Sequence, residues 1–196
     1  DETISAIIVP HAGYVYSGQT AACAINSLKG AKTFIIIGPN HTGLGAKFAT
    51  MEKGKWKTPL GSVNIDGDVA CRLEELDMVF NDDMAHLNEH SIEVQIPFLQ
   101  ECFKDLRIVP LSVMNIDYSA EFLEDCTIIG KKIAEISKHH DINIIASSDL
   151  SHYLSLEEAK PRDEKALDNI KDLDVRNLFA VLETMDACVC GYGPIA

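Results

Sequence analysis

The sequence predicts an α/β protein, a three-layer α/β/α sandwich around a largely parallel sheet, on three observations. The runs SAIIVPH (5–11), TFIIIGPNH (33–41) and INIIASSDLSH (142–152) are apolar, rich in Ile and Val, and closed by Pro, Gly or Ser. Such continuous runs belong to strands buried on both faces, as in parallel sheets with helices above and below. Segments with helical spacing separate them, the alternation expected of a doubly covered sheet. Each run also ends in a turn that carries a histidine: His11, His41 and His152. Loops at the carboxyl ends of neighbouring parallel strands converge on one crevice, so the three imidazoles are expected around a single polar site suited to a metal.

The elements follow in order. A strand over Ile4–Pro10 leads through HAGYVYSG into a helix around Gln19–Leu28, and a strand over Thr33–Gly38 follows. A glycine-bearing loop covers 40–46, and the stretches 47–56 and 61–65 suggest a hairpin-like excursion. Asp66 is placed to cap a helix over Asp68–Leu76. The acidic stretch Asn81–Asn88 reads as loop. Ser91–Phe103 has helical spacing, with Pro97 forcing a bend or an early break. A strand over Arg107–Val113 precedes a helix over Ala120–Lys138, and a strand over Asn143–Ser147 enters the DLSH turn. A helix is expected to begin near Pro161 and reach Asn169, with another over Val175–Leu182.

At 196 residues the chain suits one domain spanning 1–196. It begins without Met and stops where a helix is about to start, so it reads as part of a longer polypeptide. Aspartate and glutamate number 30 against 17 lysines and arginines, a formal net charge of −13. That surface repels phosphate backbones and anionic headgroups, which argues against nucleic-acid and membrane-surface roles. No run approaches a membrane span, and no basic-then-apolar leader opens the chain, so a cytoplasmic location is expected. There is no GxGxxG and no P-loop. Of the six cysteines, Cys23, Cys71, Cys102 and Cys126 read as reduced core or helix-face thiols.

Small Ala12 and Gly13 let the chain turn sharply after His11. Taken alone, His11 is either a ligand or a histidine near a helix start; paired with His41, it favours a metal site. Asp149 and His152 lie three residues apart in one turn, where the carboxylate can orient the ring as a general base. The segment HLNEH (86–90) matches an H-x-x-E-H zinc-protease pattern. Its place in an acidic loop argues instead for a turn that aims His90, Ser91 and Glu93 at the crevice. Tyr16 is assigned to the ligand-binding side with His90 and Glu93. Cys190, just before Gly-Tyr-Gly-Pro, is either a core cysteine or a thiol suited to act as ligand or nucleophile.

PHAGYVYSG, IIIGPNHTG, KTPLG (57–61), NEHSIEVQIPFL (88–99), IVPLSV (108–113), SSDLSH and CGYGPI (190–195) occur in one order across the chain. In this the sequence resembles the Memo family, named for a mediator of ErbB2-driven cell motility; microbial members are labelled AmmeMemoRadiSam system protein B. The resemblance implies a fold like that of class III extradiol dioxygenases. It implies one metal ion, iron or copper with zinc as a further choice, held by His11, His41 and Cys190. Asp149 and His152 would line the same pocket, His152 where the dioxygenases keep a catalytic base. It further implies a small-molecule or peptide ligand and, by association, radical-SAM and AMMECR1-like protein partners. A thiolate in place of the dioxygenase carboxylate makes the site softer, so ring cleavage does not carry over.

Overall fold

The computed structural model describes residues 4–185 and 189–196. The chain opens with β1 (Ala6–Val9), α1 (Tyr14–Asn26) and β2 (Thr33–Pro39). The short strands β3 (Phe48–Thr50), β4 (Lys55–Thr58) and β5 (Gly61–Ile65) precede α2 (Gly67–Glu74) and β6 (Val79–Asn81). Two 3-10 turns, Asp83–His86 and Glu93–Gln95, lead to α3 (Ile96–Cys102) and β7 (Arg107–Val113). Then come α4 (Ala120–Ile136), β8 (Ile142–Ser147), α5 (Leu156–Lys171), α6 (Val175–Met185) and α7 (Tyr192–Ile195).

The main path of the sheet runs β1-β8-β2-β7-β3-β6. β1, β8, β2 and β7 are mutually parallel, whereas β3 is antiparallel to β7. β4 and β5 form an antiparallel hairpin that joins the sheet through β5 and β7. The result is a mixed, largely parallel open sheet with helices on both faces. Period-two alternation divides each central strand between two cores. Phe34, Ile36, Ile108 and Ile145 face α1 and α3, with Ile25, Ile96 and Leu99. Ile35, Ile37, Val109 and Leu111 face α2, α4 and α6, with Leu73, Phe122 and Leu182. The central strands β2, β7 and β8 are largely apolar because helices cover both of their faces.

Local chemistry sets the helix ends. Asp66 caps α2 by accepting from Val69 N–H, and Ser119 caps α4 by accepting from Phe122 N–H. In α4 the buried residues Phe122, Cys126, Ile129, Ile133 and Ile136 recur at three- and four-residue steps, one face of a helix. Cys126 is buried, while Cys23, Cys71 and Cys102 are exposed on helices, and all four are free thiols. Cys188 lies outside the described residues. Among the described residues, no helix is long and apolar enough to cross a membrane.

Several boundaries differ from expectation. α1 starts at Tyr14 rather than Gln19, since Ser17 N–H already bonds to the Gly13 carbonyl at 3.2 Å. Within 47–56, Phe48–Thr50 joins the main sheet, and the hairpin consists of β4 and β5 alone. The stretch 81–88 holds the end of β6 and a 3-10 turn rather than open loop. Pro97 lies in the first turn of α3, so the chain from Glu93 is a 3-10 turn before it is a helix. α5 begins at Leu156, well before Pro161, because Ser155 and Glu158 form a reciprocal capping box. Pro161 therefore sits inside α5 and removes one helical hydrogen bond.

Gly38 near the end of β2 permits the close approach that brings the 89–92 turn onto this strand. A Cβ there would lie 2.5 Å from Ser91 Oγ and 2.7 Å from Ile92 Cγ1. Gly38→Ala is expected to cost about 1–3 kcal/mol, read as a lower urea midpoint with an unchanged slope; a midpoint equal to the parent's contradicts this packing.

Candidate metal centre

The strand order explains the convergence. β8 lies between β1 and β2, so the loops carrying His11, Asp149–His152 and His41 leave three adjacent parallel strands in the same direction. Cys190 arrives from the other end of the chain, just before α7. Its approach requires glycine next to it, because a Cβ on Gly191 would lie 2.4 Å from the Ser147 carbonyl oxygen. Asn115 clasps the same segment, donating to the Cys190 carbonyl and accepting from Gly193 N–H.

The donor atoms of His11, His41 and Cys190 lie within 4.8 Å of one another. Cys190 Sγ is 3.1 Å from His11 Nε2 and accepts from Asp149 N–H at 3.3 Å. The rings of His11 and His41 are 5.3 Å apart. His90 is the third imidazole of this group, stacked on His41 at 5.0 Å and edge-on to His11 at 5.5 Å. Two further donor groups overlap the first: His41, Glu89 and His90; and Asp149, His152 and Cys190.

Buried neighbours set the state of each ring. Ser147 Oγ donates to the Ser91 carbonyl at 2.6 Å and accepts from Gln95 Nε2 at 3.1 Å. Its single proton is thereby committed, so His11 Nδ1, 2.9 Å away, carries the hydrogen of that contact. His11 Nε2 is left as a bare lone pair facing the Cys190 sulfur. Burial holds the His11 pKa down at about 4, with His41 and His90 acting in the same direction against Asp149. His11 is therefore held neutral, the form in which an imidazole can bind a metal.

Glu89 plays the matching part for His41. The buried Glu89 Oε1 is 3.0 Å from His41 Nδ1 and also accepts from the N–H groups of His90 and Ser91. Its Oε2 accepts from His41 N–H. Burial alone would raise the Glu89 pKa, but the His41 ring and these backbone donors hold it at about 2. With Nδ1 turned to Glu89, Nε2 is the nitrogen His41 offers to Cys190. Hydrogen bonds to Cys190 and then Glu89 push the His41 pKa up to about 10.

Asp149 accepts from the N–H groups of His11 and Ala12 at 3.0 and 3.2 Å, which ties the β8 loop to the β1 loop. Its other oxygen is 3.7 Å from His11 Nε2. His152 reaches the cluster beside Asp149 and Cys190. The H-x-x-E-H pattern does not form one ligand face. His86 lies edge-on to Trp56 at 5.7 Å, with its pKa lowered to about 4 by burial. Glu93 and Tyr14 line a neighbouring cleft of about 570 Å³. Tyr16 is 87% exposed and makes no hydrogen bond to the donor cluster. Glu89, Gln95 and Ser147 carry the geometry; the sequence marks Glu89 only as part of the H-x-x-E-H pattern and does not mark Gln95 or Ser147.

The donor set fits a metal. Two imidazole Nε2 atoms and one sulfur converge, and the 3.1 Å contact between Sγ and the bare His11 Nε2 needs either a thiol proton or a shared cation between its two lone pairs. Because His41 stays protonated up to about pH 10 in the metal-free protein, a cation bound through both rings must displace that proton. Affinity for Zn2+ in chelator competition should therefore rise at least about tenfold per pH unit between about pH 6 and 8. Glu89→Gln should flatten this dependence and weaken binding roughly 10–100-fold. In the metal-free fold the raised His41 value adds stability below its ordinary 6.5, lost as pH climbs towards 10. An affinity independent of pH contradicts the assignment.

The Memo-like protein family model matches residues 1–196. A MEMO1 family protein of Sulfolobus acidocaldarius is 46% identical over 96% of this chain and 67% of its own length. One from Saccharolobus solfataricus is 46% identical with the same coverage, and one from Sulfurisphaera tokodaii is 45% identical. With the match running through both histidine turns and the Cys190 segment, the chain belongs to the Memo family.

Proposed function

We propose that the chain binds one redox-active ion, iron or copper, through His11, His41 and Cys190, and carries out oxidation or reduction on a small or peptide-borne group. The observation that carries this reading is the meeting of three donor atoms from distant segments within 4.8 Å, with each ring's Nδ1 engaged outward. When bound, the ion would supply a redox centre and polarise an attached ligand. A sulfur beside two imidazoles favours a soft or borderline ion, which keeps zinc as a further occupant and sets the site apart from the two-histidine, one-carboxylate set of oxygen-activating iron.

The surrounding residues have roles of their own in this reading. His152, grouped with Asp149 and Cys190 at the site's edge, is positioned to accept a proton from a ligand. Asp149 fixes the backbone of the His11 turn and adds negative charge beside the same ring. In this reading His90 borders the entrance, while Glu93 in the neighbouring cleft and the exposed Tyr16 would meet a ligand that extends outward. The free thiols suit a reducing compartment, in keeping with a cytoplasmic protein.

A second reading is favoured by the softness of the donor set: a copper-carrying or peptide-binding accessory protein without turnover. It would act beside radical-SAM and AMMECR1-like partners in a modification pathway. Two variants separate the readings. For an oxidoreductase, His152→Ala should abolish oxygen or reductant consumption by the metal-loaded protein while metal content stays near one per chain. Cys190→Ser should lower both. Turnover unaffected by His152→Ala contradicts the catalytic role, and a metal-loaded parent that consumes neither oxygen nor reductant favours the carrier.

A further inference from the structure

The β4–β5 hairpin leaves one strand edge unpaired. β4 pairs with β5 alone, in the register Lys55↔Asn64, Trp56↔Val63, Lys57↔Ser62 and Thr58↔Gly61. Ile65 N–H donates to the Gly54 carbonyl at 3.2 Å, which sets the alternation along the hairpin. Residues 54, 56 and 58 exchange hydrogen bonds with β5, and the peptide groups of Lys55 and Lys57 point away from it. No other described strand pairs with that side.

A cleft of about 570 Å³ follows this edge. Residues 55–59 all line it. A strand presenting a face contributes every second residue to a cleft, whereas one presenting its edge contributes successive residues. Trp56, Tyr14, Leu87 and Pro97 give it apolar walls, and Asp83 and Glu93 line it as well, so the positive charge is confined to the β4 side. Lys53, Lys55 and Lys57 are exposed, and among the described residues none of them is in an ion pair. This cationic strip stands out in a chain of net charge −13.

Lysines alone can serve to blunt an edge against aggregation, but blunting requires no apolar cleft of ligand size beside it. Pairing of two β4 edges from two copies would set lysine against lysine, which disfavours self-association. We propose that the β4 edge binds an extended peptide as an added strand, one whose side chains alternate between acidic and apolar. Outward peptide groups of Lys55 and Lys57 supply main-chain hydrogen bonds, the acids lie across from the two lysines, and an apolar side chain enters the cleft over Trp56. The proposal names the ligand class of the cleft beside the metal centre. It rests on the preceding reading only for what happens to the ligand afterwards.

The test uses chelator-treated protein and the peptide Glu-Phe-Glu-Leu-Glu-Phe-amide carrying fluorescein on its N-terminal amine. A block-ordered peptide of the same composition and a copy N-methylated at alternate residues serve as controls. Only the alternating, unmethylated peptide should bind, and it should slow hydrogen exchange at the Lys55 and Lys57 amides, leaving the already paired Trp56 and Thr58 amides unchanged. Lys55→Glu combined with Lys57→Glu, both at exposed positions, should weaken binding about tenfold. Equal binding of the three peptides, or binding without protection of the two lysine amides, overturns the proposal. Binding that appears only after metal loading also overturns it, and leaves the metal reading standing.

Discussion

The placement of β8 between β1 and β2 is the constraint on which the rest of the site depends. Parallel pairing on both sides fixes the register from Ala6↔Ile144 through Val9↔Ser147 and from Thr33↔Ile142 through Ile37↔Ala146. Each loop therefore emerges at the same height, and His11, His41 and the Asp149 turn face one another without any long-range guidance. Exposing the central strands would lose burial on two faces at once, so the sheet is stiff where the loops are rooted. The site inherits that stiffness.

Polar groups buried at the strand ends then turn proximity into a defined electronic state. Ser147 is the last residue of β8, and its hydroxyl links Ser91, Gln95 and His11. Glu89 collects the His41 ring and three backbone N–H groups. A carboxylate this buried would be costly without those donors. With them it fixes the orientation of the His41 ring and ties the 89–91 turn to the end of β2. The effect is an asymmetric pair: a neutral His11 and a readily protonated His41, both presenting Nε2 to one sulfur.

Much of the sheet was legible in the sequence because burial on both faces leaves little room for polar residues. Arg107–Val113 matches its expected bounds, and β2 and β8 differ from theirs by one residue at one end. His11 and His41 were legible because they follow those runs directly. Glu89 was hidden inside a local pattern that pointed to another chemistry, and its real partner, His41, is far away in sequence. Gln95 and Ser147 carry no charge and sit in apolar surroundings, so nothing in composition or spacing marks them. The helix boundaries that differ from expectation, at Tyr14 and Leu156, are places where a glycine turn or a capping box outweighs the residue expected to set the start.

In the proposed site a sulfur and two imidazoles hold one ion jointly, and X-ray absorption at the metal edge of the copper-loaded protein reads that shell atom by atom. One sulfur scatterer is expected at about 2.3 Å with two nitrogen scatterers at about 2.0 Å, the sulfur vanishing in Cys190→Ser. A shell of nitrogen and oxygen alone in the parent protein would contradict it.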